Sequence, residues 1–247
     1  MLPNHVFFIF FYFKQFCQHI FLVRFLVLLV DFIIDTITYI NSLISLTYMK
    51  ILAFSDLHVD MDVLRRLKKK AIIEKVDYII AAGDLSMFEN GFDIVLYELN
   101  ELNIPILLIH GNHESRQFAE AESKNFKNII FMHKKSIVKE NVLFLGYGGG
   151  GFSTSDKELD KYSDIFKKEI MKNKGKKIVF IIHGPPYKML DGIYGNNVGC
   201  KSRAKFINDV KPDIVICGHL HEFAGKFLKV GKTLVINPGW EGKVFQI

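Results

Sequence analysis

From residue 50 onward, short unbroken apolar runs alternate with longer amphipathic stretches. Residues 50–55, 77–82, 105–110, 177–183 and 213–217 are apolar and rich in β-branched side chains, with no polar face, as expected of strands covered on both sides of a sheet. Residues 61–75, 91–102, 159–173 and 202–209 carry the spacing of helices. The shorter pieces 129–132, 135–139 and 142–146 read as strands meeting antiparallel neighbours. Residues 225–236 and 243–247 read as strands between Gly-rich turns. The rhythm predicts an α/β fold with short connections, in one compact domain over residues 49–247.

A second regularity lies at the ends of the strands. LAFSDLH, YIIAAGD, ILLIHGNHE, VFIIHGP and DIVICGHLH each end an apolar run in a turn bearing Asp, Asn or His. If the strands are neighbours, these turns converge, and ligands of open α/β sheets bind at such carboxyl ends. The set comprises Asp56, His58, Asp84, Asn112, His183, His219 and His221, with His113 left over. A mixed nitrogen and oxygen donor set of this kind suits borderline divalent metals better than Mg²⁺ alone or a thiolate-selected ion. Seven side chains exceed the needs of one ion, and a carboxylate can touch two. The inventory therefore predicts a dinuclear centre, able to grip phosphate oxygens and activate water. His113 stays free to protonate a leaving alkoxide or to hydrogen-bond the phosphoryl group.

Each element alone is common turn vocabulary; the five in order are not. Asp56-x-His58, Gly83-Asp84, Gly111-Asn112-His113-Glu114, His183 and Gly218-His219-x-His221 resemble the signature of the calcineurin-like metallophosphoesterase superfamily, with no ligand position departing from it. The resemblance covers nearly everything after Met49. It implies a two-sheet β-sandwich flanked by helices, without a large cap, acting as a hydrolase. It implies that Asp56, His58 and His221 hold one metal, that Asn112, His183 and His219 hold a second, and that Asp84 bridges them. By the same resemblance Asp84 and His113 serve catalysis, and the ions are two divalent metals, Mn²⁺ first, with Fe, Zn²⁺ or Ni²⁺ as alternatives. Glu114 reads as a partner orienting His113 or another ligand rather than as a ligand itself.

The expected substrate is a small phosphoester, nucleotides included, and the chain leans towards phosphodiesterase activity. No concentrated basic pocket for a dianionic monoester is visible beyond Lys188, Lys201 and Arg203. The Gly-rich stretch 146–152 is expected to pass near the crevice or to form a surface turn, and 184–200 to line the entrance with Tyr187, Tyr194 or Asn197. A phosphomonoesterase or a nuclease is the alternative, and a non-catalytic protein-binding scaffold a more distant one. Against a nuclease, no interleaving of aromatic and basic residues marks a strand-binding track. The basic cluster Arg65, Arg66 and Lys68–Lys70 reads as a solvated helix face.

Residues 1–48 differ in kind. They hold nine of the 23 Phe but only two basic residues, Lys14 and Arg24, and two acidic ones, Asp31 and Asp35, so the formal +6 arises entirely from residue 49 onward. His19, Arg24 and Asp31 interrupt the apolar run that a membrane span would need. The segment is expected to be a hydrophobic extension ahead of the true start at Met49 or, alternatively, a membrane-associating piece. Three widely spaced cysteines without a CxxC pair favour a reducing compartment, so a cytoplasmic protein is expected, membrane-associated if residues 1–48 are genuine. Cys217 reads as core. An intact mass of the natively expressed protein should correspond to a chain beginning at Met49; a mass including residues 1–48 would contradict this.

Overall fold

The computed structural model describes Arg24, residues 28–37, Tyr39 and residues 48–247. The chain divides into two compact units, Met1–Tyr48 and Met49–Ile247. In the first, residues 28–37 are helical, and the expectations for residues 1–48 lie largely outside the described residues. Among the described residues, no helix is long and apolar enough to cross a membrane.

The second unit is an α/β fold with two mixed sheets flanked by helices. The first sheet contains β1 (Lys50–Phe54), β2 (Tyr78–Ala82), β3 (Ile106–Ile109), β4 (Ile129–Phe131) and β13 (Lys243–Gln246), in the order β13-β1-β2-β3-β4. The second has the order β11-β12-β10-β7-β6-β5. Its strands are β5 (Lys135–Lys139), β6 (Val142–Tyr147), β7 (Lys177–Ile182), β10 (Ile214–Ile216), β11 (Phe227–Val230) and β12 (Thr233–Ile236). A two-residue hairpin, β8 (Gly192–Ile193) with β9 (Asn196–Asn197), stands apart from both.

Alternation along each strand sorts the core into three layers. Ile51 and Ala53 of β1, Ile80 and Ala82 of β2, and Leu107 and Ile109 of β3 face Val179 and Ile181 of β7 and Ile214 and Ile216 of β10 between the sheets. The intervening Leu52, Phe54, Ile79, Ala81, Ile106 and Leu108 face outward, onto the helices α1 (Met61–Glu74), α2 (Phe92–Asn100) and α3 (Arg116–Ser123). On the far side, Leu143, Leu145, Phe180, Ile182 and Val215 pack on α4 (Lys157–Lys172) and α5 (Lys201–Val210). Both faces of each sheet are therefore dry, which is why the strands read as unbroken apolar runs rather than as alternating ones.

The helices start where side chains can cap them. Asp60 accepts from the amides of Asp62 and Val63 ahead of α1, and Asp156 accepts from Leu159 N ahead of α4. Helix α3 has little apolar spacing in its sequence RQFAEAES, so the pattern does not predict it, but Ser115 caps it and Ala119 is buried. Of the three short pieces expected to meet antiparallel neighbours, β5 and β6 pair antiparallel with each other, β6 also running parallel to β7, whereas β4 departs from the expectation by running parallel to β3 at the edge of its sheet.

Four of the five residues of the basic cluster on α1 are paired within the protein. Arg66 bonds Glu241 at 2.9 Å, Lys70 donates to the Glu241 and Gly242 carbonyls, Lys68 pairs with Glu98 and Arg65 with Asp62. Cys217 lies in the outer core of the second sheet, where burial pushes its thiol up to about 12. Phe180, edge-on to Phe166 and tilted against Phe206, anchors that layer. Phe180→Ala should cost about 3–5 kcal/mol of stability, measured as a lowered urea midpoint at unchanged slope.

Candidate metal centre

Strands β1, β2 and β3 run parallel in one sheet, and β7 and β10 parallel in the other, so their carboxyl ends deliver Asp56, Asp84, Asn112, His183 and His219 to one rim. The turns there are strained. Asp56, His58, Asp84 and His219 all have φ between 46° and 70°, a left-handed region that non-glycine residues seldom occupy. Backbone hydrogen bonds between adjacent turns hold them: Asp56 N to Gly83 O at 3.0 Å, His58 N to Asp84 O at 3.1 Å, and Gly218 N to His183 O at 2.7 Å. Each bond aims a side chain inward that an extended backbone would direct elsewhere.

Asp84 is central and buried. Its Oδ1 accepts from His113 N at 2.9 Å, and its Oδ2 lies 3.1 Å from His183 Nε2 and 3.9 Å from His113 Nε2. His183 Nε2 also lies 3.1 Å from Asn112 Oδ1, while its Nδ1 bonds Ala82 O at 2.9 Å and so ties the end of β7 to that of β2. With Nδ1 committed to a carbonyl, the ring orientation is fixed and Nε2 faces the site. On the other flank, His219 N donates to both oxygens of Asp56 at 3.0 and 3.1 Å, and Ser55 Oγ also bonds that carboxylate. His221, on a single 3₁₀ turn, brings Nε2 to 3.9 Å from Asp56 Oδ1, and its ring lies 5.4 Å from that of His58.

Three overlapping groups of donor atoms result, each with all atoms within 4.8 Å of one another: Asp56, His58 and His221; His58, Asp84 and His113; and Asp84, His183 and His219. The structure thus brings all the singled-out residues into one cluster, Asn112 joining through His183. The donors fit divalent ions. His219 Nε2 is buried without a hydrogen-bond partner, as expected of a nitrogen whose partner is a metal. Two carboxylates, histidines and a carboxamide oxygen are the donors such ions prefer.

Electrostatics agree. Burial alone would raise the Asp84 carboxyl, but the hydrogen bond and charge of His183, with the His113 amide, hold it well below the usual carboxylate range. Burial disfavours charge on His183 too, yet its bond to Asp84 raises it to about 9. His219 is lowered to about 4, first by burial and then by the His183 charge. Without metal, the Asp84–His183 pair therefore keeps a proton at neutral pH that an ion must expel.

Glu114 acts on the ligand residue Asp84 through its backbone. Buried, it accepts from the amides of Asp84 (3.1 Å), Gly111 (3.0 Å) and Ser86 (2.8 Å) and from Ser86 Oγ (2.7 Å). It braces the backbone of two ligand turns and touches no ligand side chain in these bonds. Sequence pattern singles out neither Ser86 nor the buried Asp191. That carboxylate organises residues 188–199 by accepting from the amides of Lys188 and Gly199, each at 2.9 Å, and from Asn197 Nδ2 at 2.7 Å. Nothing in either local sequence announces such a role.

The Gly-rich stretch does approach the centre. A Cβ on Gly151 would stand 3.5 Å from the His219 ring and 3.8 Å from Asn112 Oδ1. Arg203 is fully buried and donates from Nη2 to Gly149 O at 3.0 Å, so it supports this loop from beneath. Of the expected entrance residues, Asn197 is committed to Asp191, Tyr187 lies beneath Lys188 and Lys201, and Tyr194 is fully exposed.

Fold and site together define a small, cap-less hydrolase domain built for a dinuclear metal centre. The chain belongs to the calcineurin-like phosphoesterase family, whose model matches residues 49–223. It is 26% identical over 224 residues to a UPF0046 protein of Caenorhabditis elegans, covering 81% of this chain and 72% of that protein. Among solved structures, the Thermus thermophilus protein TT1561 matches with a TM-score of 0.65 at 18% identity, covering 80% of this chain and 97% of that one. A dimetal phosphatase from Danio rerio matches with a TM-score of 0.56 at 11% identity, covering 76% and 86%.

The packing at Gly111 and the proton on His183 each make metal binding testable. A Cβ on Gly111 would stand 2.0 Å from Asp84 Oδ1, so Gly111→Ala should weaken metal binding by about 10- to 100-fold or more, read by equilibrium dialysis. Because the ion competes with the proton on His183, metal affinity should rise with pH up to about 9 and level off above it. Calorimetry in buffers of different ionisation enthalpy should show roughly one proton released per chain at neutral pH.

Proposed function

We propose that this chain is a phosphodiesterase acting on small molecules, nucleotides included. In this reading Asp56, His58 and His221 hold one divalent ion, Asn112, His183 and His219 hold a second, and Asp84 lies between them. Mn²⁺ is the favoured metal, with Fe, Zn²⁺ or Ni²⁺ as alternatives, and the compartment is the reducing cytoplasm. The observation that supports this most directly is the sharing of members among the three donor groups, His58 and Asp84 each belonging to two. Bound there, the ions would supply Lewis-acid charge for the phosphoryl oxygens and a water acidic enough to attack at neutral pH.

The chain's own residues do the rest. Asp84 stays anionic, with its Oδ1 held by the His113 amide at 2.9 Å. His113 has a side chain 17% exposed and Nε2 directed towards Asp84 Oδ2, so it stands at the boundary between the ligands and the solvent from which substrate arrives. From there it can donate a hydrogen bond to the phosphoryl group and a proton to the leaving alkoxide. The bond from its amide to Asp84 Oδ1 fixes the backbone from which the ring projects.

The lean towards diesters rests on cation supply. A dianionic monoester needs an extra positive group, and of those nearest the ligands in sequence Arg203 is buried under Gly149, while Lys188 and Lys201 each lie 5.5 Å from the centroid of the Tyr187 ring.

His113→Ala should retain both ions while kcat falls about 10²–10⁴-fold, whereas Asp84→Asn should lose metal and turnover together. Full activity in either variant would refute the assignment. With Mn²⁺, bis-p-nitrophenyl phosphate should be turned over faster than p-nitrophenyl phosphate; a clear preference for the monoester would make the chain a phosphomonoesterase.

A further inference from the structure

Two phenylalanines at the rim of the metal centre are exposed and contribute nothing to the core. Phe88 is 70% exposed and Phe152 66% exposed, and neither belongs to a core cluster. Each nonetheless rests on a histidine of the site. The Phe88 ring lies 4.4 Å from that of His113, tilted by 35°, and the Phe152 ring lies 4.6 Å from that of His219, edge-on at 65°. His113 and His219 belong to the two donor groups that share Asp84. An aromatic side chain thus stands beside each of these groups.

Both rings are held in place by their loops, and Phe88 at some cost to the backbone. Phe88 has φ 52° and Glu89 φ 70°, which is strain for a bulky residue that gains no burial from it. The turn is tied to the segment of His113 itself: Glu89 N donates to His113 O at 2.9 Å, and the Glu89 carboxylate accepts from Ser115 N at 3.0 Å. Phe152 follows Gly149 and Gly150, with φ of 84° and 83°, and the buried Arg203 fixes that loop through Gly149 O. Strain that brings no packing, at a site, points to a ligand.

We propose that Phe88 and Phe152 form an aromatic bracket that takes the ring of the substrate, so that the substrate class is nucleoside or other aryl phosphoesters, not sugar or alkyl phosphoesters. Any purine or pyrimidine face can stack on a phenyl ring, which gives selectivity for the class without selecting one base. The inference rests on the phosphoester reading of the metal centre but is indifferent to monoester or diester.

Binding separates the two readings. The probes are the non-hydrolysable, monoanionic 5′-methylphosphinates of adenosine and of ribose, titrated calorimetrically into the Mn²⁺-loaded full chain. The adenosine compound should bind at least about tenfold tighter, and Phe88→Ala and Phe152→Ala should each reduce that advantage about fivefold or more, as expected for loss of a stacking partner. Phe88→Trp should preserve it. Both positions are exposed, so the variants should unfold at the wild-type temperature, which a thermal scan checks. Equal binding of the two probes by the wild type, or an advantage that survives in the double alanine variant, would overturn the bracket. Stacking with turnover of monoesters alone would keep the bracket and remove the diesterase reading. Binding of neither probe would overturn the bracket, and loss of Mn²⁺ uptake would identify the metal assignment as the part that failed.

Discussion

The buried carboxylate of Asp84 is the constraint around which the rim is arranged. An ionised carboxylate removed from water costs several kcal/mol unless it is paired and hydrogen-bonded. Asp84 ends β2, and its partners come from two other strands: the His113 amide follows β3, and His183 ends β7 in the opposite sheet. The carboxylate therefore couples the sheets at the point where the ligands meet. Its backbone at φ 54° and the missing Cβ of Gly111 are both needed, because a methyl group at Gly111 would occupy the space of Oδ1.

This arrangement explains why the strain is concentrated in the ligand turns. Residues such as Asp56, His58 and His219 in the left-handed region are individually unfavourable. They persist because the turns bond to one another and because the dry layers on both faces of each sheet fix the strands beneath. Glu114 contributes from below by accepting four hydrogen bonds from groups in the β2 and β3 turns. The scaffold thus carries the cost of preorganising the donors for an ion.

Much of this is legible in the sequence because it arises from local pattern. The five strands ending in Asp, Asn or His stand out by composition, and parallel neighbours bring their ends together. Sequence pattern does not reveal contacts whose partners lie far apart, such as His183 Nδ1 on Ala82 O, 101 residues away. Helix α3 is hidden because it is short and Phe118 is its one large apolar residue, and the parallel direction of β4 is hidden because a three-residue strand carries no directional signal. By sequence Arg203 is a candidate substrate-binding cation. Its burial beneath the Gly-rich loop makes it a support instead, a distinction that only the packing reveals. The ligand turns hold the shared chemistry, whereas Phe88 and Phe152 sit where the substrate's other half must pass.

The most direct test of the central claim is the number and coupling of Mn²⁺ ions bound per chain, by equilibrium dialysis with electron paramagnetic resonance. The account predicts two ions per chain with a spin-coupled spectrum, as expected of neighbouring ions that share a carboxylate. A single uncoupled ion at saturation, or two ions without magnetic coupling, would contradict a centre built around Asp84.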